Sequence, residues 1–288
     1  MSLLRAEFPV VDGIHRCLSP ERATHFERFL GEYTSVRLAE GRASADPEYF
    51  RRLPDPTPGG PIEWQWRIRR NTWRTFRRRV LPGMPSRSMV IDVGAGVGWL
   101  SNRMSELGHD AHAVDLTVDP DDGLGAARHF VHPFERYQAE MDDLPFVDGA
   151  ADMVVFNASL HYSTDYGRTL AEALRVLKPG GRVVVLETPL YRKDWAGRAM
   201  VAERHARFEQ QYGTRSEAIP SIEYLTAAML GDLARRFGLR WRFHRTWYGW
   251  SWAMRPWKAR LHRKRPPSRF VVMVAQRVGP SRTGRRTN

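Results

Sequence analysis

Thirteen residues, Ser88-Met89-Val90-Ile91-Asp92-Val93-Gly94-Ala95-Gly96-Val97-Gly98-Trp99-Leu100, constrain this chain more than any other stretch. Met89 to Val93 is apolar apart from Asp92, rich in β-branched residues and bounded by turn formers, which predicts a short buried strand. Gly94, Gly96 and Gly98 then predict a tight turn, with a helix beginning near Val97. Glycine has no Cβ to intrude where backbone turns sharply and approaches a ligand. The free N–H groups of a helix start favour an anionic or carboxylate-bearing ligand. The stretch therefore predicts a nucleotide-like cofactor at the edge of a parallel sheet.

The remaining composition narrows the class. A chain of 288 residues can bury a proper core in one α/β domain with additions. No apolar run approaches the ~20 residues that span a bilayer, and Met1 to Val10 lacks the pattern of a signal peptide. Cys17 is the only cysteine, which excludes intrachain disulfides and fits a reducing, cytoplasmic compartment. No Cys/His cluster has metal-ligand spacing, so no metal is expected. The net charge of +13 is uneven: residues 80–232 carry 14 basic and 22 acidic residues, whereas 233–288 carry 16 basic residues and no acid. An acidic core thus lies between basic flanks.

Taken in order, residues 1–60 read as short helices, one of them starting at Ser19-Pro20-Glu21, where Ser caps and Pro opens the first turn. Leu53 to Gly60 is a breaker-rich linker. From Pro61 a helix places Ile62, Trp66, Trp73, Phe76 and Val80 on one stripe, among arginines. After the glycine turn a helix ends at Gly108, and Ala111 to Leu116 is the second strand. Asp115 stands at its carboxyl end, 19 positions beyond Gly96, where a carboxylate can accept both hydroxyls of a cofactor ribose. Arg136 to Met141 reads as a weak third strand and Met153 to Phe156 as the fourth. A helix at 170–177 leads through Lys178-Pro179-Gly180-Gly181 into Val183 to Glu187. Asp194 to Tyr212 is a further helix, Ile222 to Phe237 an amphipathic one, and Leu239 to Trp247 can pair with Phe270 to Gln276.

Three of these segments carry a family resemblance. Asp92-Val93-Gly94-Ala95-Gly96-Val97-Gly98 misses the nicotinamide spacing, because Trp99 stands where a third glycine belongs; it resembles motif I of the class I S-adenosylmethionine-dependent methyltransferases. Glu140-Met141-Asp142-Asp143-Leu144-Pro145-Phe146 and Arg175-Val176-Leu177-Lys178-Pro179-Gly180-Gly181-Arg182 resemble later segments of the same family. The resemblance implies a doubly wound, Rossmann-like α/β fold with a seven-stranded, mostly parallel sheet and helical N-terminal and inserted cap elements. Residues 1–85 would be a helical N-terminal cap and 86–278 the cofactor-binding domain, with a helical insertion at 188–220. Residues 279–288 would be a disordered basic tail. S-adenosyl-L-methionine is the implied cofactor, held by Asp92, Gly94, Ala95, Gly96, Gly98, Asp115, Leu116, Glu140, Met141, Asp142 and Asn157. In that register Glu140 takes the place of the family's adenine-binding Asp, one methylene longer, and Asp142 is the competing acid.

Methyl transfer from a sulfonium needs the acceptor held in line, and a base only when the acceptor is protonated. His161 and Tyr162, beyond the fourth strand, are the candidate catalytic residues, the imidazole having an unperturbed pKa of about 6.5; a wall role for His161 is the alternative. Glu187 and Tyr191 are weaker candidates for acceptor contacts. The implied acceptor is a small molecule or lipid-like compound. An RNA methyltransferase, and a non-catalytic cofactor-binding protein on the same fold, are the rival readings. Residues 241–265 hold five of the ten tryptophans among arginines. That composition fits a peripheral membrane contact, a nucleic acid, or, for alternate residues of 241–247, the core face of a strand.

Overall fold

The computed structural model describes residues 2–278; the expected basic tail at 279–288 lies outside them. In chain order the elements are β1 (Val10–Val11), β2 (Ile14–Arg16), α1 (Pro20–Ala39), α2 (Pro47–Arg52), α3 (Glu63–Arg79), β3 (Met89–Val93), α4 (Trp99–Glu106), β4 (Asp110–Asp115) and β5 (Glu135–Gln138). They continue with β6 (Ala151–Asn157), α5 (Tyr166–Val176), β7 (Leu177–Leu186), β8 (Leu190–Tyr191), α6 (Asp194–Tyr212), β9 (Leu225–Thr226), α7 (Ala227–Phe237), β10 (Leu239–Arg245), α8 (Trp250–Ala253), α9 (Arg255–Leu261) and β11 (Val271–Arg277).

The main sheet runs β1-β2-β5-β4-β3-β6-β7-β11-β10. Strands β2 to β7 in that order are parallel neighbours, while β1, β11 and β10 join antiparallel. The expected count of seven is corrected to nine. Seven strands from β5 to β10 form the Rossmann-like sheet, and an N-terminal hairpin extends it. Its turn is Asp12-Gly13, both at positive φ (54° and 70°), the chemistry that a two-residue hairpin turn demands. The 1–85 segment, expected to be a helical cap, holds α1 to α3 and also this hairpin, whose Ile14–Arg16 strand pairs with β5.

Alternation along the strands feeds two cores. On β6, Val154 and Phe156 face the layer of α5 and α7, and Met153 and Val155 face the layer of α3 and α4. The predicted stripe Ile62, Trp66, Trp73, Phe76 and Val80 is buried in the second layer, and Trp66 and Trp73 each meet Trp99 edge-on at 6.2 Å. The helix after the glycine turn begins at Trp99 rather than near Val97. The stretch 248–265, between the antiparallel strands β10 and β11, contains α8 and α9.

Two charged details bear on stability. Arg37 of α1 forks both oxygens of Asp122, a carboxylate only 7 % exposed. Removing one partner of a buried pair strands the other charge, so Arg37→Met should cost about 3–5 kcal/mol in urea denaturation; a loss below about 1 kcal/mol would show that solvent already reaches Asp122. Asp92 is 1 % exposed, accepts a hydrogen bond from Ser101 Oγ at 3.1 Å, and its Oδ1 has no partner among the described residues. Burial pushes its pKa from 3.8 up to about 7. Between those values the fold holds a proton that the unfolded chain has lost, so stability falls as pH rises from about 4 to about 7 and is flat above. Asp92→Asn should remove that slope and be more stable than the parent at pH ~8 by about 1–4 kcal/mol. Thermal melts across pH check this; an unchanged slope would show that Asp92 stays ionised.

Candidate functional site

At the carboxyl ends of β3 to β6 lies a cavity of about 330 Å³, walled on one side by α1. The helix presents Arg22, Phe26, Phe29 and Tyr33 to it, positions spaced four, three and four residues apart and so on one face. Arg37, one turn further on, continues that face. Each end of it is tied to an acid of the sheet loops: Arg22 donates to both oxygens of Glu140 at 2.6 Å, and Arg37 holds Asp122.

A second, polar cavity of about 60 Å³ adjoins the first and shares Tyr33, Gly94 and Ala158 with it. Arg37, Arg42, Tyr49 and Arg69 converge there on Gly94 to Val97 and Asn157. Arg69 lies over the Trp66 ring at 4.5 Å and 3.8 Å from Glu187.

The glycine turn is held by its own neighbours. Gly94 and Ala95 donate to the Val114 carbonyl at 2.8 and 3.0 Å, and Gly98 donates to Ala95. Asp115 accepts from Gly96 N–H at 2.7 Å and Thr117 N–H at 2.9 Å. These four turn N–H groups therefore have protein acceptors, so at them the turn offers shape rather than the free donors expected from sequence. Gly94 is at φ 71°, and a Cβ there would lie 2.3 Å from Ser159 Cβ. Gly98 is at φ 81°, and a Cβ would lie 2.5 Å from the Phe134 ring. No other residue fits either position.

Of the residues singled out by sequence, Gly94, Asp115, Leu116, Glu140, Met141, Asp142 and Tyr162 line the larger cavity. Gly94, Ala95, Gly96 and Asn157 line the smaller one. Asp92, Gly98 and His161 line neither. Asp92 is sealed under the turn, and Gly98 packs against Phe134. Asp142 carries its own partner, Arg168 at 3.1 Å, and burial raises its pKa. Burial, and secondarily Arg204, pushes the His161 pKa down to about 3. The ring is then neutral across the physiological range and a poor proton acceptor; it stacks behind Tyr162 at 4.6 Å. The histidine that does line the cavity is His25 of α1, whereas His161, the candidate named from sequence, does not. Tyr191 belongs to a different groove. Sequence reading missed Arg22, His25, Tyr33 and Arg37; their signal was the regular spacing of aromatics and arginines along 22–37.

The donor set suits a ligand with both an adenosine-like and an amino-acid end. Asn157 Oδ1 is buried without a partner among the described residues and borders the small arginine-lined cavity, where an ammonium and a carboxylate could both be answered.

Residues 91–185 match the family model described as a methyltransferase domain. The malonyl-[acyl-carrier protein] O-methyltransferase of Hahella chejuensis is 28% identical over 155 residues, 52% of this chain and 50% of that protein. The ubiquinone/menaquinone biosynthesis C-methyltransferase UbiE of Psychromonas ingrahamii is 34% identical over 117 residues, 38% of this chain and 47% of that protein. The chain thus spans about half the length of the curated relatives it matches. Among solved structures, Burkholderia thailandensis 1,6-didemethyltoxoflavin-N1-methyltransferase superposes with a TM-score of 0.52 at 16% identity, covering 95% of this chain and 94% of that one. The YcgJ protein from Bacillus subtilis gives a TM-score of 0.52 at 16% identity over 73% of this chain and 100% of its own; at such identities the likeness is one of fold. Glycine turn, sheet order and matched segment agree: residues 91–185 match a methyltransferase domain, and the sheet around them has the fold of the solved methyltransferase on which it superposes.

Proposed function

We propose that the chain transfers the methyl group of S-adenosylmethionine to a small-molecule or lipid-like acceptor. The observation that carries the reading is the pair of joined cavities at the carboxyl edge of the sheet, one aromatic and one arginine-lined. When bound, the cofactor supplies a methyl group on a sulfonium. Asp115 would accept the ribose hydroxyls, with Leu116 and Met141 against the adenine. Glu140 uses two acceptor sites on Arg22, and a carboxylate has about four, so it can still accept the exocyclic amine. Asn157, with Arg69 beside it, would hold the amino-acid end. Gly94, Ala95 and Gly96 leave room for the chain between the two ends.

The acceptor would lie against Phe26, Phe29, Tyr33 and Tyr162, an aromatic wall that suits an apolar body. Positioning then supplies much of the rate. His161 is assigned a wall role behind Tyr162, and His25 is the imidazole at the cavity for an acceptor that must lose a proton. Relatives named for a malonyl-carrier-protein and for quinone biosynthesis support an acceptor of small-molecule or lipid-like class. No helix among the described residues is long and apolar enough to cross a membrane.

Calorimetry tests the cofactor. S-adenosylmethionine and its demethylated product should bind and NAD should not; binding of NAD alone would end the reading. Asp115→Ala should weaken binding by about 1.5–3 kcal/mol, and Glu140→Gln should weaken it more than Asp142→Asn. The reverse ranking would move adenine recognition to Asp142. For the reaction, transfer of labelled methyl should be found with quinone-ring or carboxylate-bearing thioester acceptors. Its absence from both, with cofactor binding intact, would favour a non-catalytic role.

A further inference from the structure

We propose that α8 and α9 form a docking helix for an anionic lipid bilayer. The two run on as one helical stretch, since Met254 N–H donates to the Trp250 carbonyl and Lys258 N–H to the Met254 carbonyl, both at 3.0 Å. Trp250, Met254, Trp257 and Leu261 recur at spacings of four, three and four, which puts them within an arc of about 60°. They are 77, 45, 70 and 79 % exposed. Trp247, at 60 %, meets Trp250 edge-on at 5.2 Å and extends the stripe.

The opposite face is already used. Trp252, Arg255 and Ala259 are half-buried; Trp252 stacks on Phe270 at 5.4 Å and holds the Arg255 guanidinium at 3.8 Å. The apolar stripe therefore points away from the body by construction. Isolated exposed apolar side chains need no explanation, but a contiguous stripe marks an interaction surface.

Charge selects the occupant. Residues 241–265 hold eight basic residues and no acid. Lys258, Arg260, Arg263 and Lys264 flank the stripe in solvent. Behind the helix a groove of about 720 Å³ is lined by Arg192, Lys193 and Arg269 with no acid, which gives lipid phosphates further cations. Tryptophan and leucine on one face with cations at the sides is the arrangement of a helix lying in the plane of an anionic interface. Tryptophan prefers the headgroup level, and anionic lipids attract the cations. The inference rests on this surface alone and is independent of the methyl-transfer reading.

The full chain should float with phosphatidylcholine–phosphatidylglycerol vesicles at physiological ionic strength and much less with phosphatidylcholine alone. Trp250→Ser/Trp257→Ser/Leu261→Ser should lower the bound fraction by about tenfold or more, while Trp64→Ser, at a tryptophan of α3 that is 60 % exposed, should not. Lipids brominated near the headgroup should quench the parent's tryptophan fluorescence, and Trp257→Ser alone should reduce that quenching, which keeps the test decisive if the triple variant does not fold. Flotation unchanged by the stripe variants, no flotation of the parent, or RNA retention that needs the three residues without vesicle binding would each overturn the proposal. S-adenosylmethionine calorimetry on the same samples separates the two readings: vesicle binding without cofactor binding would sink the methyl-transfer reading and leave this one standing.

Discussion

The carboxylate of Asp115 ties together the two loops on which the site depends. By accepting Gly96 N–H and Thr117 N–H, it fixes the turn after β3 to the loop after β4 from a half-buried position. A carboxylate partly withdrawn from water gains from such partners, and these are backbone donors, so the geometry survives changes in neighbouring side chains. The Val114 carbonyl adds two further bonds to Gly94 and Ala95. The cavity edge is consequently tied into the sheet by backbone bonds, and among the described residues the opposite wall, α1, is attached to it only through side chains.

That contrast explains what could be read from the chain without a structure. The strand at Met89–Val93, the glycine stops at Gly108 and Gly238 and the helix Asp194–Tyr212 are local patterns, and the residues there need only themselves and their neighbours. The Arg22 and Arg37 contacts join positions 118 and 85 residues apart, and no local period reports a partner at that range. His161 sits next to the expected pocket in sequence, yet its ring is turned into the wall behind Tyr162, whereas His25 reaches the cavity from a helix far earlier in the chain.

Short elements were lost for a different reason. A strand of two or three residues has no alternation to recognise, so β1 and β2 were legible only through the Asp12-Gly13 turn between them. In 248–261, glycine, proline and a crowd of tryptophans hide a helical spacing whose apolar side faces outward, the reverse of the usual pattern. Burial, rather than periodicity, separates the two faces there.

The N-terminal hairpin also changes what the sheet exposes to other chains. Without it the open margin would be β5, a four-residue strand; with it the margin is β1, a pair of residues. At the far margin β10 carries Arg240, Arg242 and Arg245, all in solvent. A strand arriving from another molecule thus finds two peptide units on one side and like charges on the other, both poor templates for sheet growth. A nine-stranded sheet with a flat apolar rim would be an aggregation hazard; this one ends in a stub and a row of cations.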